Sequence, residues 1–164
     1  MANRLAAQGL DVLGIDVVPE LVAQARRGGT GQFQALSCEE MEQGKLAKKF
    51  DAAVCNFSLL GNGSVNLIFR TIPTLLNSRG FLIVQTIHPH IGCGDLPYID
   101  GWREGSWAGF SDDFTDPAPW YFRTLESWVR LFLDNQFSIE RICEPLNPKT
   151  QKAASIIFIG KIGR

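Results

Sequence analysis

The sequence lacks the features of a membrane, secreted or nucleic-acid-binding protein. Its 164 residues contain no apolar run long enough to span a bilayer and no leader-like segment. The 16 basic and 17 acidic side chains give a net charge of -1, and they form no basic stripe of the kind that binds polynucleotides. We therefore expect neither a membrane nor a nucleic acid as a partner.

Closely spaced cysteines are also absent. The four cysteines, Cys38, Cys55, Cys93 and Cys143, are far apart and form no C-x-x-C pair, which favours a reducing cytoplasm. The run His88-Pro89-His90-Ile91-Gly92-Cys93 offers three potential metal ligands, but its spacing fits no common zinc pattern. We predict no metal site.

A further absence lies at the start of the chain. Residues 10–16 predict a buried strand that ends in Asp16, and Pro19 suits the first turn of the helix that follows. An acid at the end of the second strand of a nucleotide-binding α/β unit accepts hydrogen bonds from both ribose hydroxyls. A first strand and a glycine-rich turn normally precede it, but here only a helix end over residues 2–8 does. We expect half of a cofactor site.

Strands and helices alternate along most of the chain. Further strands are predicted over residues 33–36, 50–56, 81–86, 137–144 and 153–160, with helices over 62–77 and after Thr124. The apolar centre of residues 50–56 predicts burial on both faces, and Pro73 is expected to kink or split its helix. The last two strands follow each other closely, which favours an antiparallel pair. The pattern predicts one α/β domain over residues 1–164, with a doubly wound, mostly parallel sheet.

Residues 89–122 show no periodicity and are rich in aromatic side chains. These aromatic residues are Tyr98, Trp102, Trp107, Phe110, Phe114, Trp120, Tyr121 and Phe122. A segment of this composition is unlike solvated disorder, and long loops in compact domains are usually functional. We predict a cap packed on the body of the domain.

In this order the residues resemble the class I S-adenosylmethionine-dependent methyltransferases. The likeness covers nearly the whole chain and rests on Gly14-Ile15-Asp16 with Pro19-Glu20-Leu21, and on residues 33–41, 50–57 and 76–84. It implies a Rossmann-like fold, S-adenosyl-L-methionine as cofactor and a small-molecule methyl acceptor. The family's first strand and G-x-G-x-G loop have no counterpart before Met1. We therefore expect an N-terminally truncated member whose open sheet edges invite pairing with a second copy.

The resemblance implies roles for the residues at the first two strand ends. Asp16 would hold the ribose hydroxyls, and Val17 would pack on the adenine. Ser37 and Cys38 would line the adenine edge, although the family often has an acid where this chain has Ser37. The side chains suit these roles, because a carboxylate accepts two hydroxyl donors and an aliphatic group covers a flat ring.

The later strand ends would face the reacting groups. Asn56, Phe57 and Leu60 follow the fourth family strand, where the sulfonium and the acceptor should meet; the alternative is a turn cap and core packing. His88 is the candidate catalytic base, because an unperturbed imidazole titrates near neutrality; the alternative is a turn histidine.

Two features of the cap region point to opposite acceptors. Trp120, Tyr121 and Arg123 offer a flat wall, a catalytic hydroxyl and a cation for an acidic acceptor, unless they only pack within the cap. The acids Asp95, Asp100, Glu104, Asp112, Asp113 and Asp116 would suit a basic acceptor, unless they are solvated loop charges. The sequence leaves this choice open.

Two other functions remain as alternatives to methyl transfer. The missing glycine loop is compatible with a non-catalytic remnant or assembly partner. An acid after the second strand also serves NAD, so an NAD-dependent oxidoreductase is a third hypothesis. The antiparallel end of the sheet and the large cap after the fifth family strand favour the methyltransferase.

Overall fold

The chain divides into two units, Met1–Ala47 and Lys48–Arg164. The computed structural model describes residues 1–105 and 116–163. The predicted cap residues Trp107, Phe110 and Phe114 and the acids Asp112 and Asp113 lie outside the described residues. The single domain predicted over residues 1–164 stays a prediction.

The first unit is built around two parallel strands. Its helices are α1 (Ala2–Ala6), α2 (Pro19–Arg27) and α3 (Cys38–Glu42), and its strands are β1 (Leu13–Asp16) and β2 (Gln32–Ala35). The two strands pair with Leu13 opposite Gln32 and Asp16 opposite Ala35. The predicted strand, helix and strand are therefore confirmed, with β1 beginning at Leu13 rather than at residue 10.

Small and polar side chains hold the first unit together. Gly14 lets the Phe33 ring lie against β1, because a Cβ at this position would fall 2.5 Å from the ring. The Asn3 side-chain amide donates to the Ala25 carbonyl at 3.0 Å, and its Oδ1 accepts from the Gly31 N–H at 3.2 Å. These two bonds tie α1 to the end of α2 and the start of β2, so Asp16 ends a strand that is fixed within its unit.

The second unit carries a longer sheet and a separate hairpin. Its strands are β3 (Phe50–Asn56), β4 (Leu76–Ile87), β5 (Gly101–Arg103), β6 (Trp120–Phe122), β7 (Phe137–Cys143) and β8 (Ser155–Ile162). Its helices are α4 (Gly63–Leu75), α5 (Pro89–Gly92) and α6 (Leu125–Asp134). Among the described residues the sheet order is β3-β4-β8-β7, with β3 and β4 parallel and the other pairs antiparallel. The predicted Rossmann-like α/β class with an antiparallel C-terminal pair is confirmed.

Helices α4 and α6 pack on this sheet through aromatic side chains. Phe69 of α4, Phe132 of α6 and Phe158 of β8 are all fully buried. The Thr124 hydroxyl accepts from the Ser127 N–H at 3.2 Å and so caps α6 as predicted. Pro73 lies inside α4 and does not split it. None of the described helices is long and apolar enough to cross a membrane.

Strand β3 lies at the edge of the sheet of the second unit. Val54 is 40% exposed, and within the described part of this unit only β4 pairs with β3. The prediction that this strand is buried on both faces is therefore wrong for the second unit. A run of apolar residues shows that a strand prefers burial, but it does not show how many neighbours the strand has.

Residues 89–122 contain regular structure that the sequence does not indicate. Helix α5 begins directly after His88, and β5 pairs with β6 in antiparallel fashion, with Trp102 opposite Tyr121. Each of these strands has three residues, which is too short for an alternating pattern to be visible. We call β5 and β6 together the cap hairpin.

Candidate functional site

Asp16 ends β1 with an exposed carboxylate. Its Oδ1 accepts a hydrogen bond from the Val18 N–H at 2.9 Å, which orients the side chain. Its Oδ2 has no hydrogen-bond partner within residues 1–105 and 116–163. The Leu36 N–H donates to the Asp16 carbonyl at 3.0 Å, so the carboxyl ends of β1 and β2 lie side by side. A carboxylate held in this way can accept hydrogen bonds from the two hydroxyls of a diol.

The residues that follow Asp16 expose an aliphatic surface. Val17 is 64% exposed, Leu21 is 50% exposed and Val18 is 39% exposed. Isolated exposed aliphatic side chains are common, but here two of them, Val17 and Val18, directly follow one exposed acid. This combination suits a ligand that has both a diol and a flat apolar part.

Ser37 begins α3, and its polar groups serve that helix. Its Oγ accepts from the Glu40 N–H at 3.2 Å, and its own N–H donates to Glu40 Oε2 at 3.0 Å. This reciprocal pair is a capping box, and the spacing Ser-x-x-Glu signals it in the sequence. The adenine role predicted for Ser37 overlooks this signal. Burial and the Glu39 charge raise the pKa of the Cys38 thiol, so Cys38 stays protonated near neutral pH. The adenine contacts of both residues stay predictions.

The loop between β3 and α4, residues 57–62, has a strained start. Phe57 has a φ of 52°, which bulky residues rarely adopt. Its N–H donates to the Gln85 carbonyl at 2.9 Å. Phe57 is 43% exposed, Leu60 is 41% exposed, and Asn56 is exposed at the strand end. Exposure and a strained φ argue against a core role for Phe57, and exposure alone argues against a core role for Leu60. The binding roles of both residues stay predictions.

The β3–α4 loop and the cap hairpin border one depression in the second unit. The depression is lined by four predicted site residues, Leu60, Trp120, Tyr121 and Arg123. The predicted site residues Asn56, Phe57 and His88 do not line it. The Tyr121 N–H donates to the Leu60 carbonyl at 2.7 Å, which joins the hairpin to the loop. Trp102 stands edge-on to Tyr121, with ring centroids 5.5 Å apart, and presents a further exposed aromatic surface.

Arg123 is buried and directed into the protein. It is 4% exposed; its Nη1 donates to the Gly61 carbonyl at 2.8 Å and its Nη2 donates to the Asn62 carbonyl at 3.2 Å. Burial lowers the pKa of the guanidinium, and the charges of Tyr121 and Asp100 oppose this shift. This geometry argues against the predicted contact between Arg123 and an acidic acceptor, because the guanidinium is buried and both terminal nitrogens donate to the protein. The substrate role of Arg123 itself stays a prediction.

His88 is also buried, and both of its ring nitrogens have partners. Nδ1 lies 3.2 Å from the His90 N–H, and Nε2 lies 2.8 Å from Glu144 Oε1. A backbone N–H can only donate, so Nδ1 is the acceptor and Nε2 donates to Glu144. The catalytic role of His88 stays untested, but this geometry favours its alternative, a turn histidine that orients the start of α5. Among the described residues no group of three or more His, Cys, Asp or Glu side chains could hold a metal ion.

Residues 1–84, about half of the 164-residue chain, match the sequence model of a methyltransferase domain. The chain belongs to this methyltransferase family. The search of curated protein sequences found no match to this chain.

Solved structures share its fold at low sequence identity. A proposed S-adenosylmethionine-dependent methyltransferase of Listeria monocytogenes aligns with a TM-score of 0.75 and 17% identity, over 99% of this chain and 85% of its own. The 1,6-didemethyltoxoflavin N1-methyltransferase of Burkholderia thailandensis aligns with a TM-score of 0.67 and 17% identity, over 98% of this chain and 65% of its own. The magnesium protoporphyrin IX methyltransferase of Synechocystis PCC 6803 aligns with a TM-score of 0.67 and 18% identity, over 99% of this chain and 68% of its own. These likenesses show the Rossmann-like fold.

The family match and the fold identify a class I methyltransferase that uses S-adenosyl-L-methionine. They favour methyl transfer over the hydride transfer of an NAD-dependent oxidoreductase. Asp16 fits this cofactor, because its exposed carboxylate keeps one oxygen without a partner among the described residues and adjoins the exposed Val17 side chain. When bound, the cofactor supplies an electrophilic methyl group on a sulfonium.

Proposed function

We propose that the methyltransferase acts on a small molecule. The aromatic side chains of the cap hairpin carry this proposal, because Trp102 is 59% exposed and lies opposite Tyr121, and exposed rings suit a compact aromatic ligand. The exposed Trp102 ring and the half-buried Tyr121 ring offer flat walls to an aromatic acceptor. The Burkholderia thailandensis enzyme, which shares the fold, was solved with bound 1,6-didemethyltoxoflavin and S-adenosylhomocysteine.

The cofactor roles in this proposal follow the side-chain chemistry of each unit. Asp16 accepts hydrogen bonds from the ribose hydroxyls, and Val17 covers one face of the adenine. In the second unit Asn56, Phe57 and Leu60 serve the methyl-bearing end of the cofactor and the acceptor, as the family resemblance implies. Methyl transfer is a direct displacement, so positioning of the acceptor matters most. Tyr121 remains the candidate that hydrogen-bonds the acceptor.

The charges around the cap hairpin favour an acceptor without a negative charge. Residues 89–123 contain two arginines, Arg103 and Arg123. Arg103 donates from Nη2 to the Pro97 and Ile99 carbonyls, each at 3.0 Å, and Arg123 is engaged in the same way elsewhere. The acids Asp95, Glu104 and Asp116 are exposed. The sequence leaves open whether the acceptor is acidic or basic. Because both arginines are engaged and these acids are exposed, we propose a neutral or basic acceptor.

Two measurements test this proposal. Calorimetric titration with S-adenosyl-L-homocysteine is expected to show binding, and its absence would contradict the cofactor roles. Transfer of labelled methyl groups is then compared between aromatic amines or phenols and the same compounds bearing one carboxylate. We expect at least about tenfold less labelling of the carboxylates, since an unpaired anion beside exposed acids is disfavoured. Equal or preferred labelling of the carboxylates would contradict the charge preference.

A second proposal concerns assembly with another copy of the chain. Strand β3 is an edge strand of seven residues with Asp51 as its one charged residue, and such edges favour pairing with another strand. We expect a dimer by light scattering, and a monomer when Val54→Lys places a charge on this strand. The control variant is Asp51→Lys. It reverses the sign of the one charge already on the strand without adding a charge at a new position. A monomeric parent chain would contradict pairing through this edge.

We also propose a cytoplasmic location. All four cysteines are free thiols. The raised pKa of the Cys38 thiol keeps it in the less reactive protonated form. Free thiols are typical of proteins in reducing compartments.

A further inference from the structure

We infer that Arg123 is a positioning residue that holds the β3–α4 loop in place from the start of α6. This inference deepens the proposed function, because it assumes that the β3–α4 loop serves the reaction. The sequence predicts a substrate ligand at Arg123, but the structure directs the same guanidinium to the backbone of that loop. The inference concerns contacts within the second unit only.

The contacts of Arg123 fall on the last two residues of the loop. Its Nη1 donates to the Gly61 carbonyl at 2.8 Å, and its Nη2 donates to the Asn62 carbonyl at 3.2 Å and to Asn62 Oδ1 at 3.1 Å. The Tyr121 N–H adds a bond to the Leu60 carbonyl at 2.7 Å. Three consecutive loop residues are therefore bound from one short segment, residues 121–123.

The surroundings of the guanidinium fix its orientation. Its carbon lies 4.8 Å from the Tyr121 ring centroid and 5.5 Å from the Trp128 ring centroid. Arg123 is 4% exposed, so its charge is stabilised by carbonyl oxygens and ring faces rather than by water. A lysine keeps the charge but lacks the planar fork that reaches Gly61 and Asn62 together.

The loop itself gives a reason for this support. It begins at Phe57 with a φ of 52° and carries the exposed Leu60 side chain. Gly61 lies close to the Ser64 side chain, because a Cβ there would lie 2.3 Å from Ser64 Oγ. A strained segment persists only when its surroundings hold it. Arg123 and Tyr121 supply such contacts.

Arg103 provides a matched control in the same region. It also lies over an aromatic ring, with its guanidinium 5.0 Å from the Phe122 centroid, and it also donates to two backbone carbonyls. Its acceptors are Pro97 and Ile99, which lie outside the β3–α4 loop. Replacing either arginine by lysine makes the same chemical change, but only Arg123→Lys releases the loop.

The first test is residue-resolved amide hydrogen exchange on the ligand-free chain. The reporters are the Tyr121 and Phe57 amides, whose bonds to Leu60 and Gln85 depend on the position of the loop. We expect exchange at these amides to be about tenfold faster in Arg123→Lys, from the loss of directed hydrogen bonds. Exchange at Phe158 in the central sheet should not change, and Arg103→Lys should leave the reporters unchanged. Uniform acceleration at all amides, or none at the reporters, would overturn the inference.

A second variant keeps the test decisive if Arg123→Lys does not fold. Asn62→Ala removes one acceptor and keeps Arg123, and it should accelerate the same two amides by a smaller factor. Unchanged exchange in Asn62→Ala would then overturn the inference.

The second test links the loop to the cofactor. S-adenosyl-L-homocysteine should bind about tenfold more weakly to Arg123→Lys and equally well to Arg103→Lys, because a released loop no longer presents its binding groups. Faster loop exchange with unchanged affinity would overturn the positioning role. If the parent chain binds no S-adenosyl-L-homocysteine, the proposed function fails, and the exchange result alone decides whether Arg123 holds the loop.

Discussion

Replacement of Asp16 by alanine is expected to weaken S-adenosyl-L-homocysteine binding by about a hundredfold. The side chain is exposed at the end of β1, where its removal creates no cavity. Its proposed role is to accept hydrogen bonds from two ribose hydroxyls. Hydrogen bonds to a charged group contribute roughly 1.5–3 kcal/mol each, so the loss of two corresponds to at least about 3 kcal/mol, or about two decades in affinity.

Calorimetry on the parent and variant proteins measures this effect. Asp16→Asn keeps an oxygen that can accept from the Val18 N–H but loses the negative charge. Its affinity for S-adenosyl-L-homocysteine should therefore fall between those of the parent and the alanine variant. Glu20→Ala is the matched control, because it removes another exposed acid from the first turn of α2. Equal affinity for the parent and Asp16→Ala would exclude the ribose role. A similar loss in Glu20→Ala would show that the effect comes from net charge alone.

The elements with strong local signals are the ones that the sequence predicts well. The bounds of β3 match the prediction, β7 ends one residue earlier than expected, and Thr124 caps α6. Hydroxyl capping and apolar periodicity act over a few residues, so they can be read from one sequence. The edge position of β3 depends on pairing with distant strands and leaves no such local signal.

The candidate site shows the same division. The end of β1 places Asp16 at an exposed position, because a short apolar strand followed by proline is a local pattern. The burial of Arg123 depends on Gly61 and Asn62, about sixty residues away in the sequence. Sequence chemistry therefore identifies a cation at this position, but not whether that cation faces a ligand or the protein itself.

The capping box at Ser37 is a different case, since its signal is local and readable. A serine followed three residues later by glutamate predicts a helix start, and Ser37 and Glu40 form the two expected bonds. The resemblance to the methyltransferase family instead implies an adenine contact for Ser37. A functional role for Ser37 would have to coexist with capping, which already engages both its hydroxyl and its N–H.

Phe132→Ala is expected to lower the free energy of unfolding of the methyltransferase by about 3–5 kcal/mol. Phe132 is 0% exposed, and its ring centroid lies 5.0 Å from that of Phe69 and 5.7 Å from that of Phe158. Gly160 packs against the same ring, because a Cβ there would lie 2.4 Å from Phe132 Cδ1. The ring thus joins α4, α6 and β8, and its surroundings cannot collapse without moving a strand.

Urea unfolding followed by circular dichroism measures this loss, and the neighbouring residue supplies the control. Leu133 is on the same helix and is 57% exposed, so Leu133→Ala removes apolar atoms without opening a cavity and should cost under about 1 kcal/mol. If Phe132→Ala lowers the free energy of unfolding as little as Leu133→Ala does, Phe132 does not have the core role described for it. Because Phe132 lies in the second unit and Asp16 in the first, a folded Phe132→Ala protein that retains its affinity for S-adenosyl-L-homocysteine would separate stability from cofactor binding.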